Sequence, residues 1–200
     1  MKYFIVGLHS SGKQDVVNLL NEYNIKCGKI FSNLESPHPE IYNSENYEYY
    51  SDEDINNIFE NDAYVFMQEI PDIHPLYNTK KYYEGLSKYT LDQNEVFIIS
   101  PDQLLSISPN SIKDDICFIW IDNTRNNRTI RYKEEKRLYN YKNRDIVEQR
   151  DINSFVKILY SFNRSNILYF TDEDPARIAT IIHTIIKHPD TFDMFVKNFN

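Results

Sequence analysis

The chain has 200 residues, 41% of them hydrophobic, and a net charge of -8, with a pI near 5.1 and a mean hydropathy of -0.59. That length suits one globular domain spanning 1–200 and excludes a large multidomain enzyme. No apolar run approaches the roughly 18 residues of a membrane span, so neither a membrane partner nor a signal peptide is expected. Cys27 and Cys117 are too few and too distant for a disulfide scaffold or a thiolate metal site, which points to a reducing, cytoplasmic setting.

In chain order, Lys2 to Val6 reads as a strand ending at Gly7, and Gln14 to Asn24 as a helix with Val16, Val17, Leu19 and Leu20 at helical spacing. From Ser32 to Asn46 the chain turns polar and carries Pro37 and Pro39, an excursion away from the core. Ser51 should cap a helix running to about Asn61, because its hydroxyl can accept first-turn N–H groups while Asp52, Glu53 and Asp54 face the positive end of the dipole. Ala63 to Ile70 reads as a strand, Tyr77 to Leu91 as a loop entering a helix, and Glu95 to Ile99 as a buried strand ended by Ser100-Pro101. Ile116 to Ile121 is the best candidate for a central parallel strand. Two helices follow, over Asn123 to Asn140 and Arg144 to Asn163, then a last strand over Asn166 to Phe170. A final helix starts at Asp174-Pro175, its core stripe formed by Ile178, Ile181, Ile182, Ile185 and Ile186. Strands alternating with helices predict an α/β fold with a central parallel sheet.

Charge is unevenly placed. Residues 1–124 carry a net -12, residues 125–150 a net +5, and every arginine lies after Thr124. An acidic chain lacks the broad basic face of a sequence-independent nucleic-acid binder, so a local arginine cluster suits a small polyphosphate better. A solvated helix face is the plain alternative for such a run, and it is the favoured one for Arg125, Arg128 and Arg131.

Glycine is scarce, four in all, yet Gly7 and Gly12 fall in one short stretch. Gly7-Leu8-His9-Ser10-Ser11-Gly12-Lys13 fits G-x-x-x-x-G-K between a predicted strand and a predicted helix. There the curled backbone aims N–H groups at phosphate oxygens and the lysine adds a point charge. Gly7, His9, Ser10, Ser11, Gly12, Lys13 and Gln14 are therefore the candidate ATP-binding residues. Gln14 stands where Ser or Thr would place a hydroxyl on Mg²⁺, so the metal would be met only by an amide oxygen or a water. His9, His38, His74, His183 and His188 show no metal spacing.

With this loop in place the chain resembles the guanylate kinase family within the P-loop nucleoside monophosphate kinases. Tyr47-Glu48-Tyr49-Tyr50-Ser51-Asp52-Glu53-Asp54-Ile55 is similar to the family's Y-x-F-V-S-x-x-x-F, and Phe66-Met67-Gln68-Glu69 to its F-[IL]-E strand. Leu76-Tyr77-Asn78-Thr79 is similar to Y-Y-G-[ST], Ser100-Pro101-Asp102 to D-x-D, and Phe170-Thr171-Asp172-Glu173 to V-N-D-D. The segments follow the family's order.

The resemblance implies a three-layer P-loop NTPase fold, an acceptor-binding excursion over about 32–79 and a helical lid over about 123–150. It implies that Tyr47, Tyr77 and Thr79 hold an acceptor monophosphate, that Ser32 and Gln68 or Glu69 read its base, and that Asp102 sits near the acceptor. Arg137-Leu138 and Arg144 to Arg150 resemble the lid form R-L…R…I-x-x-R with one extra residue, so Arg137, Arg144 and Arg150 join Lys13 as candidate catalytic groups. The expected activity is transfer of the ATP γ-phosphate to a (deoxy)nucleoside monophosphate, with Mg²⁺ and ATP as co-substrates and small nucleotides as partners. The family's acceptor-gripping T-T-R-x-x-R has no counterpart, since Ser32 to His38 contains no arginine. Two alternatives stay open: a catalytically degenerate guanylate-kinase-like module binding nucleotide or protein, and a kinase acting on a modified base in DNA.

Overall fold

The computed structural model describes residues 1–8, 10–34, 47–70, 81–107, 115–134, 153, 157 and 167–198. Its core is a five-stranded parallel sheet formed by β1 (Lys2–Gly7), β2 (Cys27–Gly28), β7 (Val96–Ile99), β8 (Ile116–Asp122) and β9 (Ile167–Thr171), in the order β2-β7-β1-β8-β9. A second, mixed sheet is built from β3 (Ile30–Ser32), β4 (Tyr47–Tyr49), β5 (Tyr64–Ile70) and β6 (Tyr82–Ser87), in the order β4-β3-β6-β5.

Period-two alternation sorts β1 onto two cores. Tyr3 and Ile5 face a cluster with Val16, Val17 and Leu20 of α1 (Lys13–Glu22) and with Ile178, Ala179, Ile182 and Ile185 of the helix over Pro175–Lys187. Phe4 and Val6 face the other way, against Ile30, Val65, Phe66, Leu86 and Leu104. The three layers are thus a helical layer, the parallel sheet, and a layer made of the mixed sheet with short helices. The second layer of helices that a simple β-α alternation suggests is partly replaced by strands.

The other helices are α2 (Asp52–Glu60), α3 (Lys88–Gln93), α4 (Pro101–Leu105), α5 (Arg125–Glu134), α6 (the Pro175–Lys187 helix) and α7 (Phe192–Asn198). Ser51 caps α2 as expected: its Oγ accepts from Asp54 N–H, and the Asp54 carboxylate accepts from Ser51 N–H in return. Asp174 likewise caps α6, with Pro175 in its first turn. One segment differs from expectation and two add to it. Tyr82–Ser87 is a strand where a loop entering a helix was predicted, because Gly85 breaks the alternation of its flanking residues; a Cβ there would lie 2.4 Å from both the Phe31 ring and the Phe66 carbonyl oxygen. Tyr47–Tyr49 forms a strand by pairing with β3. Ser100-Pro101 opens α4, where Ser100 and Gln103 form a capping box. The predicted helix over Arg144 to Asn163 lies outside the described residues apart from 153 and 157. Among the described residues no helix is long and apolar enough to cross a membrane.

Candidate functional site

The phosphate loop leaves the carboxyl end of the central strand β1 and runs into α1. At Gly7 a Cβ would lie 2.3 Å from the Ile121 carbonyl oxygen and 2.7 Å from Ser11 Oγ, so only glycine lets the loop start this close to β8. Ser10 (φ 55°) and Gly12 (φ 95°) hold the left-handed conformations that curl it. Lys13 Nζ donates to the Gly7 carbonyl and, at 2.7 Å, to the Leu8 carbonyl, folding back over its own loop. Gln14 Nε2 donates to Asn18 Oδ1 at 2.8 Å, one turn along α1. The hydroxyl oxygens of Ser10 and Ser11 are buried with no hydrogen-bond partner among the described residues. Buried polar atoms of this kind take a partner from outside the protein, a water or a ligand oxygen, and phosphate oxygens fit that need. His9 lies outside the described residues.

β7 runs beside β1, with Ile99 in register with Val6. Its carboxyl end therefore delivers Ser100, Asp102 and Gln103 next to the start of the phosphate loop. Facing them is the inner surface of the mixed sheet, where Ser32, Glu84 and Gln68 lie side by side: Ser32 pairs with Glu84 on β6, and Glu84 with Gln68 on β5. Directly opposed residues project to one face. That face is apolar at Ile30, Phe66 and Leu86, which join the core, and becomes polar one register step further on.

Glu84 is the centre of this polar patch and is only 6% exposed. Gln68 Nε2 donates to Glu84 Oε1 at 2.6 Å and Tyr47 Oη to Glu84 Oε2 at 3.4 Å. Gln103 Nε2 reaches Tyr47 Oη at 3.5 Å, and Ser106 Oγ donates to Gln68 Oε1 at 2.8 Å. Burial pushes the Glu84 carboxyl above the usual carboxylate range; hydrogen bonds from Gln103, Gln68 and Tyr47 oppose the shift, and the Asp102 charge adds to it. An acidic, amide-rich patch of this kind can accept hydrogen bonds from the N–H edge of a base, and its tyrosine and amide donors can meet an oxygen.

Of the residues singled out by sequence for the acceptor, the structure brings Tyr47, Gln68 and Asp102 to this patch. Ser32 is in register with it, buried, its Oγ accepting from Leu34 N–H at 3.2 Å. Gln68 and Glu69 were open alternatives; strand alternation separates them, and Glu69 is exposed on the other face, paired with Lys81 at 2.9 Å. Tyr77, Thr79, Arg137, Arg144 and Arg150 lie outside the described residues.

Glu84 itself escaped sequence reasoning. A signal exists: Tyr82-Tyr83-Glu84-Gly85 carries two adjacent tyrosines and a glycine, the form Y-Y-G with one residue inserted, and is a closer match than Leu76 to Thr79. Arg128 was also misjudged. It is 6% exposed, not surface charge, and its Nε donates to the Asn123 carbonyl at 3.1 Å.

Among the described residues no group of three His, Cys, Asp or Glu side chains could hold a metal. Mg²⁺ entering this site would come with the triphosphate, whose phosphate oxygens, with waters, would supply most of its ligands. The Cys27 and Cys117 thiols, both pushed up to about 12 by burial, offer no thiolate.

No family model and no curated protein matches the chain. Among solved structures, guanylate kinase from Anaplasma phagocytophilum superimposes with a TM-score of 0.51 at 11% identity, over 94% of this chain and 85% of that one. At that identity the likeness is one of fold. The chain has a guanylate-kinase-like P-loop fold.

Proposed function

We propose that the protein transfers the γ-phosphate of ATP to a nucleoside or deoxynucleoside monophosphate. One observation carries this reading: a phosphate loop and a buried polar patch centred on Glu84 lie near each other at the carboxyl ends of β1 and β7, the place where open α/β sheets bind ligands. In-line transfer between two such ligands depends on positioning and charge more than on covalent chemistry. An oxygen of the acceptor phosphate bonds to the γ-phosphorus as the bond to the β–γ bridging oxygen breaks, releasing ADP. Loop N–H groups and Lys13 would hold the β- and γ-phosphates, and Arg137, Arg144 and Arg150 would follow the charge spreading over the transferred group. Bound Mg²⁺ supplies further neutralisation of the triphosphate. Tyr47, Gln68, Glu84 and Asp102 would face the acceptor, with Tyr77 and Thr79 as further candidates.

ADP release, coupled to a spectroscopic readout and run with each (d)NMP in turn, tests the activity. Turnover with at least one acceptor is expected, and none with any of them sinks it.

A second reading is a nucleotide-binding module without catalysis. It is favoured by Gln14, whose amide engages Asn18, and by Lys13 lying on its own loop carbonyls. ATP affinity with and without Mg²⁺, for the wild type and Lys13→Ala, separates the two. A kinase loses affinity in both cases, whereas the module is indifferent to the metal.

A further inference from the structure

The phosphate loop is held from behind by the segment that follows β8, and that segment is tied in turn to the first turns of α5. Asn123 is 9% exposed, and its Nδ2 donates to the Ser11 carbonyl at 2.9 Å across 112 residues of sequence. Arg128, buried on α5, donates from Nε to the Asn123 carbonyl at 3.1 Å. The entry to α5 is fixed on its other side by Asp172, whose Oδ1 accepts from Thr124 N–H at 2.8 Å and from Asn127 Nδ2 at 3.0 Å.

The Ser11 carbonyl is a sensitive place to hold. In a planar trans peptide the C=O and the following N–H point in opposite directions, so fixing Ser11 C=O fixes where Gly12 N–H points. Gly12 sits at φ 95°, and a glycine at such a position lets the preceding peptide plane turn over at little steric cost. Without an anchor, the loop can lose one of the N–H groups that a curled phosphate loop must present. Gly7 packs against the Ile121 carbonyl, so β8 and its extension control both ends of the loop.

We propose that Asn123 and Arg128 are positioning residues for nucleotide binding: Asn123 locks the Ser11–Gly12 peptide so that Gly12 N–H faces the phosphates, and Arg128 holds Asn123 in place from α5. This rests on the nucleotide-kinase reading. It ties the first turns of α5 to the phosphate loop.

The test is calorimetric titration of the full chain with ATP and with ADP, at a temperature well below every variant's melting midpoint. The proteins are the wild type, Lys13→Ala, Asn123→Leu, Asn123→Ala, Arg128→Ala and Arg128→Lys. Asn123→Leu keeps the branched shape while removing the donor. One hydrogen bond to a charged group corresponds to about a tenfold change in affinity. Both Asn123 variants should therefore bind ATP and ADP about tenfold more weakly and to the same degree, since the β-phosphate is common to both ligands. Arg128→Lys, which retains a donor, should fall between Arg128→Ala and the wild type. If Asn123→Ala does not fold, Asn123→Leu and Arg128→Lys carry the measurement. Wild-type affinity in folded Asn123→Leu and Arg128→Ala, with only a lowered melting midpoint, overturns the positioning role while leaving the kinase reading intact. Failure of the wild type to bind either nucleotide overturns both.

Discussion

Glu84 couples the candidate pocket to pH. In the unfolded chain its carboxyl ionises near the ordinary glutamate value; in the fold, burial raises that value. A raised folded value means the group's contribution to stability is fully present below the unfolded pKa and is lost as pH rises through the folded one. Glu84→Gln keeps the side chain's shape and one acceptor oxygen but never ionises. Thermal unfolding across pH 4 to 8 should therefore show the variant gaining on the wild type as pH rises. Parallel curves for the two proteins would mean that Glu84 is not the buried titrating group. Sequence reasoning passed over this residue for a physical reason. Its burial and its partners come from pairing with Ser32 and Gln68, 52 and 16 positions away, and no local pattern records that. The same register resolves Gln68 from Glu69, which are indistinguishable as letters but project to opposite faces of β5.

Elements whose cause is local were legible, and those that depend on distant pairing were not. The strand, loop and helix of β1 and α1 could be read because glycine scarcity, apolar spacing and the lysine all lie within one short stretch. The α2 cap was legible for the same reason: Ser51 and Asp54 exchange hydrogen bonds three residues apart. The three-residue strands β3 and β4, in contrast, exist through the mixed sheet, and one side chain extends that sheet beyond its backbone ladder. Asn33, 2% exposed, accepts at Oδ1 from Tyr83 N–H at 2.7 Å and donates from Nδ2 to Asp52 Oδ1 at 2.7 Å. It thereby joins β3, β6 and the first turn of α2. Truncation leaves the half-buried Tyr83 amide without its acceptor, an unmet group costing roughly 1–3 kcal/mol at most. Asn33→Ala should lower the unfolding free energy by that amount, read as a lower urea midpoint at an unchanged slope. A midpoint equal to the wild type's would show that water replaces the side chain and that the mixed sheet does not depend on this strap.

The whole molecule is organised by the parallel sheet, whose two faces carry different duties. One face, with α1 and α6, is apolar packing that holds the strands in register. The other face carries the mixed sheet, and there the core grades into the polar patch within a single strand: Leu86 is 0% exposed and lies two residues from Glu84 on the same side of β6. Loss of packing on either face should cost similar stability but differ in functional reach. Ile182→Ala on α6 and Leu86→Ala on β6 each remove a fully buried aliphatic side chain, a loss of roughly 2–5 kcal/mol. At about 2–4 °C per kcal/mol for a chain of this length, each should lower the melting midpoint by very roughly 4–20 °C. Sites that share no partners act independently, so Ile182→Ala should keep the wild-type KM for the acceptor at temperatures where it is folded. Leu86→Ala should raise that KM several-fold with a smaller change in KM for ATP, because a cavity beside Glu84 loosens the polar patch directly, whereas the phosphate loop is held at both ends by β8 and the segment that follows it. Equal effects of the two variants on the acceptor KM would show that the faces are not functionally separate, and that the pocket is held by the sheet as a whole.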